Sequence, residues 1–467
     1  MKKIFSLMVM SFYSIALLAQ NNSCLSYEYF IRIVQQNHPI ALQANIALKS
    51  AEAKILKARG EFDPYVFGNL NNKNFDDKNY FKKLEGGLKI PTWYGVEFNS
   101  KVTQNSGTYL NPENNVPSEG LLQAGISVNL AQGLIIDKRR SVLRQAQLLA
   151  TASEYDRILM LNDLLYVAAN DYWKWVKAWH KKQLYDEVIA LSKSRFEGVK
   201  TSYFGGDKPA IDTVEAMLQF QNWEIKRNEQ SFEEIKARLQ LSNHLWNEAL
   251  EPLEILDNQT PCLLSDITPP LPIQKAELDS LLANTYNNPK VESYKFQIQA
   301  LELEKRYRAD LLKPKITINY NFLSPATEWN SLDPYLQTEN NKWGITMSYP
   351  IPSRKQRADV RLSQFKLETT QLKQNQVQLE VENKLKTYFQ EQQVAFNQNI
   401  LLNNTITNYQ RLLSGEKSRF NNGESSLFLI NSRESKLIEA KLKQIDFETQ
   451  YRTALIAFKW SAYTLSQ

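Results

Sequence analysis

The stretch HPIALQANIALKSAEAKILKARGEFDP, His38 to Pro64, recurs 250 residues later as NPKVESYKFQIQALELEKRYRADLLKP, Asn288 to Pro314. The prolines keep step: Pro39 and Pro64 lie 25 apart, as do Pro289 and Pro314. Downstream, DKRRSVLR ending at Arg144 pairs with RKQRADVR ending at Arg361, an offset of 217 that also pairs Lys200 with Lys417 and Tyr203 with Phe420. It pairs Gly206 with Gly423, Leu239 with Ile456 and Trp246 with Tyr463 as well. Repetition at this scale means one structural unit used twice. The offsets differ by 33 residues, so the first copy has the longer middle section.

Breakers outline each copy. Leu134 to Glu197 is 64 residues without Gly or Pro, and Ala210 to Glu251 is 42; in the second copy Ser353 to Ser414 is 62 and Glu424 to Gln467 is 44. Each copy therefore reads as a very long helix, a turn and a second helix. At 1.5 Å per residue, 62 helical residues extend ~90 Å. Helices of this length belong to coiled coils or helical barrels. The heptad row Val360, Leu367, Gln374, Val381, Tyr388, Ala395, Leu402, Tyr409 gives such a helix a narrow apolar seam, with Gln, Asn, Lys and Glu around it.

Between the first helix of each copy and its long helix the period changes to two. Ile316, Ile318, Tyr320 and Phe322 alternate with Thr317, Asn319 and Asn321; Trp343, Ile345, Met347 and Tyr349 alternate with Gly344, Thr346 and Ser348. In the first copy Val96, Phe98 and Val102 share one parity, as do Ile126, Val128 and Leu130. Such runs suit the ~9–11 residues a tilted strand needs to cross a bilayer. They equally suit a soluble hairpin with one face on a core; beside helices of this length in an exported chain, the barrel strand is the expectation. Further strand-like sequence at Tyr65 to Leu70 and Gly87 to Ile90 leaves two readings of the extra 33 residues open, a second hairpin or longer strands and loops. The loop Ser324 to Lys342 carries Trp329 and Tyr335.

Lys2 and Lys3, the apolar run Ile4 to Leu18 and the small residue Ala19 make residues 1–19 an expected secretory signal peptide. Asn21-Asn22-Ser23 before Cys24 lacks the apolar residue that lipoprotein processing expects. The resulting plan is a signal peptide at 1–19 and a first repeat at 20–252 with its β segment at about 64–134. A linker at 253–285, expected near the equator, leads to a second repeat at 286–467 with its β segment at about 315–350. No stretch of eighteen apolar residues follows the leader.

With 56 basic against 50 acidic residues, interspersed, the chain has no nucleic-acid footprint. His38, His180 and His244 are scattered, no metal-binding or nucleotide-binding motif occurs, and no cofactor or enzymatic chemistry is expected. Tyr172, Trp173, Trp175 and Trp179 read as a packing layer on a helix rather than a sugar-stacking platform. Cys24 and Cys262 are the only cysteines; each precedes one copy, and a disulfide is open to them in the oxidising compartment that a secretory leader implies.

The duplicated Asn/His-Pro motif opening an Ala-, Leu- and Lys-rich helix that ends at Ala58-Arg59…Pro64 or Ala309…Pro314, with Gly206 and Gly423 at the helix turns, resembles the TolC-like outer membrane efflux proteins over essentially the whole mature chain. The resemblance implies a mixed α and β membrane protein: long antiparallel helices forming a trimeric helical barrel, and four strands per protomer in a shared transmembrane β-barrel. It implies an exit duct for efflux or type I secretion, a homotrimer in outer-membrane lipid that reaches through the periplasm to an adaptor protein and an inner-membrane pump. Trimerisation also has a physical motive, since four strands cannot close a barrel and lipid tolerates no open edge. The competing reading is a structural or adaptor-like periplasmic coiled-coil protein without a pore.

The resemblance places the entrance and the adaptor contact at the helix turns. Those residues are Tyr203, Gly205, Gly206, Asp207, Ala210 and Asp212 in the first copy, and Phe420, Gly423, Glu424, Ser426 and Leu427 in the second. Asp212 corresponds to an acidic position near the family's constriction; its counterpart here is Leu429, so an acidic gate is not duplicated.

Overall fold

The computed structural model describes residues 24–264, 270–326 and 339–465. The expected signal peptide and the loop residues Trp329 and Tyr335 lie outside them. In chain order the elements are α1 (Tyr27–Asn37), α2 (Pro39–Gly60), β1 (Tyr65–Phe75), β2 (Lys78–Pro91), β3 (Val96–Ser106), β4 (Leu121–Asn129), α3 (Lys138–Phe204), α4 (Ala210–Ser242), α5 (Lys275–Ala283), α6 (Pro289–Asp310), β5 (Lys315–Pro325), β6 (Asn341–Ser348), α7 (Arg354–Asn421) and α8 (Leu427–Ser461). No helix among the described residues is long and apolar enough to cross a membrane.

The long helices α3 and α7 have 67 and 68 residues, each longer than the breaker-free runs, because both continue through a glycine, Gly198 and Gly415. An isolated helical glycine costs only about 1 kcal/mol against alanine. Long helices with extensive packing absorb that. α3 and α7 give way to their return helices only at Gly206 and Gly423, where φ is +84° and +79°. Along α7 every member of the heptad row from Val360 to Tyr409 is buried or half-buried.

The structure resolves the extra residues of the first copy as a hairpin. β1 and β2 pair antiparallel across a two-residue turn, Asp76-Asp77, both at positive φ as a type I′ turn requires. All six strands form one antiparallel sheet in sequence order, β1 to β6. The four strands implied by resemblance are therefore six in this protein. The 9–14-residue lengths of the first four strands exceed the expectation at β2, whose 14 residues pass beyond its apolar half into a lysine-rich one.

Two compact units divide the chain across the repeats. One comprises residues up to 45, 158–288 and 379–467. Its core places Phe30 and Val34 of α1 against Leu165, Ala169, Tyr172, Trp175 and Val176 of α3, Leu241 of α4 and Ile456 of α8, all buried. Of the aromatic cluster, Tyr172, Trp173 and Trp175 form the packing layer expected, whereas Trp179 is half-buried outside this core; Tyr172 donates its hydroxyl to the Leu25 carbonyl at 2.8 Å. Cys24 and Cys262 are bonded, Cα–Cα 4.7 Å, beside the Leu25 N–H to Thr260 carbonyl bond at 2.9 Å. The second unit, 46–157 and 289–378, holds the sheet. Here buried Asp310 accepts from the Gly133 amide and from Lys313, both at 2.6 Å. Arg140 donates to the carbonyls of Gly133 and Leu134 at 2.5 and 3.0 Å, fixing the chain where β4 gives way to α3.

Candidate functional site

The two helix turns have the same backbone solution. At the end of α3 the Gly206 amide donates to the Tyr203 carbonyl at 3.0 Å and the Asp207 amide to the Ser202 carbonyl at 2.9 Å. At the end of α7 Gly423 donates to Phe420 at 3.0 Å and Glu424 to Arg419 at 2.8 Å. Both are Schellman motifs with glycine at the left-handed position. A Cβ there would meet nothing within 4 Å in either turn, so glycine answers a backbone need and not a steric one. Pro209 caps α4 and Ser426 caps α8, its hydroxyl accepting from the Leu429 amide at 3.4 Å.

The structure brings the turns together: the Lys208 ammonium sits 4.3 Å from the centroid of the Phe420 ring. Tyr203, Gly205, Gly206, Asp207, Ala210, Gly423, Glu424 and Ser426 are exposed, and Asp212 is half-buried in the first turn of α4. Leu427 is only 4% exposed, which makes it a packing residue of this region. Phe204 and Phe428, exposed beside the turns, were not singled out by the sequence reading.

Sequence reasoning also missed the polar lock behind the turns. Arg195 of α3 makes a two-pronged ion pair with buried Glu434 of α8, one prong at 2.7 Å, and donates to Asn431 at 3.1 Å. Asn431 in turn donates to Glu215 of α4 at 3.1 Å, so three helices meet in one network. Nearer the second turn, the Ser425 hydroxyl donates to Glu416 at 2.5 Å and Arg433 lies 3.6 Å from the same carboxylate. The Ser425 bond, with help from Arg419 and Arg433, holds the Glu416 carboxyl below its usual range. At the 217 offset Arg195 meets Leu412 and Glu434 meets Met217, so the lock is not duplicated and left no repeat signal.

The sheet supplies the second functional surface. Register aligns Leu88, Ile90, Phe98, Val102, Leu122, Ile126, Val128, Ile318, Tyr320, Trp343, Ile345 and Met347 on one face; the other presents Lys89, Glu97, Asn99, Lys101, Gln123, Ser127, Asn319, Thr317 and Thr346. On that polar face Lys101 pairs with Glu85 at 3.4 Å. Many of the apolar residues are exposed, Trp343 by 67% and Ile345 by 61%. Among the described residues no group of three or more His, Cys, Asp or Glu is placed to hold a metal ion.

Residues 280–459 match the family model described as outer membrane efflux protein. The chain is similar in fold to the CmeC outer membrane channel of Campylobacter jejuni, at 13% identity, covering 94% of this chain and 85% of that one with a TM-score of 0.65. The outer membrane protein VceC of Vibrio cholerae gives 11% identity, 93% and 95% coverage and 0.65. The MtrE outer membrane channel of Neisseria gonorrhoeae gives 13%, 93% and 88%, and 0.63. No curated protein sequence matches the chain.

Proposed function

We propose that this chain, whose residues 280–459 match the model of the outer membrane efflux protein family and whose fold is that of outer-membrane channels, is one subunit of an exit duct for efflux or secretion. The observation that carries the reading is the sheet: every strand puts apolar residues on one face, while the opposite face is mostly polar and charged, with Tyr65 and Phe67 of β1 as aromatic exceptions. A soluble hairpin would bury its apolar face on a core. This one is exposed, as a lipid-facing wall is, and its reverse suits an aqueous lumen. A coiled-coil protein without a pore has no use for such a sheet.

The helices support assembly from several copies. Ile211, Leu218, Ile225, Phe232 and Leu239 of α4 form a heptad row 48 to 68% exposed. An apolar seam at this spacing calls for a facing helix, and a second copy supplies one. The family resemblance supports three copies, with the helices as a periplasmic tunnel that meets an adaptor and an inner-membrane pump. The turns at Gly206 and Gly423 then form the entrance, and their exposed residues are what an adaptor can touch.

The test is complementation of a strain lacking the chain, scored by export and by the amount of assembled protein. Gly206→Val and Gly423→Val place a branched side chain at positive φ, and Ser426→Lys and Ala210→Lys add bulk and charge beside them. Each is expected to abolish export while assembly persists. Export at normal protein levels in all four would make the turns simple connectors.

A further inference from the structure

We infer that the additional β1–β2 hairpin is part of the membrane wall, and that β6 of one copy pairs with β1 of the next, so that each copy gives six strands and three copies close a barrel of eighteen. This rests on the trimeric channel reading above and adds the seam and the width of the pore.

The first observation is the hairpin's own pattern. Its half nearest α2 carries Val66 and Leu70 on β1 with Leu84, Leu88 and Ile90 on β2, on the same face as the apolar residues of β3 to β6. Its outer half changes character, with Lys73, Lys78, Lys82 and Lys83. A hairpin held clear of the membrane would have no reason to carry an apolar face only where the other strands do. Val66 is 81% and Leu70 61% exposed.

The second observation is the pair of free edges. β1 and β6 end the sheet, and among the described residues no further strand pairs with their outer edges. Lipid cannot satisfy them, so the edges must meet other strands. Because the count per copy is even and all pairs are antiparallel, β6 runs opposite to β1. The two edges of successive copies can therefore join without breaking the antiparallel order.

The third observation is register. Setting Met347 opposite Val66 places Ile345 opposite Gly68 and Trp343 opposite Leu70, all on the apolar face; Gly344 then faces Asn69 on the other. A row leaving Val66 passes Leu88, Ser100, Ala124, Phe322 and Asn341. In this register it reaches Asn72 of the next copy, six residues further along the same strand. Six residues over six strands, at ~3.3 Å rise and ~4.8 Å spacing, give a tilt of about 35°, which is the range of closed barrels. At that tilt, eighteen strands close at roughly 34 Å backbone diameter, against roughly 23 Å for twelve. The lumen cross-section is then about twice as large.

Cysteine pairs in the full-length protein, oxidised in outer-membrane preparations, test the seam. Gly68→Cys with Ile345→Cys reads one face and Asn69→Cys with Gly344→Cys the other. Gly68 and Gly344 both have room for a side chain. Both pairs are expected to give reducible dimer and trimer ladders on denaturing gels. Ser100→Cys with Ile345→Cys, which reads a β6–β3 seam, is expected to give none. A ladder from the Ser100 pair instead would put the hairpin outside a twelve-stranded wall and overturn the inference. So would the absence of any ladder in protein that forms heat-resistant trimers. If trimers never form, the channel reading itself fails, and the seam with it.

Discussion

At the scale of single residues, the lock at Arg195 shows why buried charge in a helical assembly is costly to disturb. Glu434 is 4% exposed and depends on the Arg195 guanidinium for both oxygens. Removing one partner of a buried pair strands the other, typically at about 3–5 kcal/mol, whereas replacing both by apolar groups is often neutral. Arg195→Ala should therefore lower the thermal unfolding midpoint sharply. Arg195→Met combined with Glu434→Leu should recover most of the loss. Equal destabilisation by the single and double variants, measured by circular dichroism, would mean the pair is not the source of the effect. The sequence hid this lock because its members come from three helices and have no counterparts at the repeat offset. The turn glycines were legible for the opposite reason: a left-handed backbone position imposes a residue type wherever it occurs.

Among the elements, the long helices and the second-copy strands were readable because period and breaker spacing are local properties. The strand count was not, since Asp76-Asp77 supplies a type I′ turn without glycine, and only pairing shows that Tyr65 to Leu70 and Gly87 to Ile90 belong to one hairpin. Helix ends were misread where Gly198 and Gly415 interrupt a run without interrupting a helix. The junction of α1 and α2 carries a pH dependence of its own. The neutral His38 Nδ1 accepts the Ile40 amide at 3.1 Å, and the ring lies 5.9 Å from that of His244, which meets Asp171 at 2.9 Å. Burial, and then His244, lower the His38 pKa from 6.5 to about 4. Between those values the unfolded chain binds a proton that the folded chain refuses, so stability falls as pH drops from 6.5 towards 4 and is unaffected above. His38→Asn, which keeps a capping acceptor and copies Asn288 of the second repeat, should remove on the order of 1–2 kcal/mol of that loss. Melting curves at pH 8 and pH 5 check it: the variant's drop between the two should be smaller, and an unchanged drop would assign the dependence elsewhere.

For the molecule as a whole, three features that a single copy leaves unsatisfied point the same way. They are an exposed apolar sheet face, two open sheet edges and an exposed heptad row on α4. In the assembly proposed above, lipid covers the first, and neighbouring copies cover the other two. The repeated element order makes this economical in sequence: each repeat brings strands, a long helix and a return helix, and the first adds a hairpin to the sheet. The most direct test of the central claim is to separate membranes on a density gradient and run the outer-membrane fraction on denaturing gels with and without heating. The chain should band with outer membranes, migrate unheated at the mass of three chains, and collapse to one chain on boiling. Recovery in the soluble periplasmic fraction, or migration as a single chain at every temperature, would contradict it.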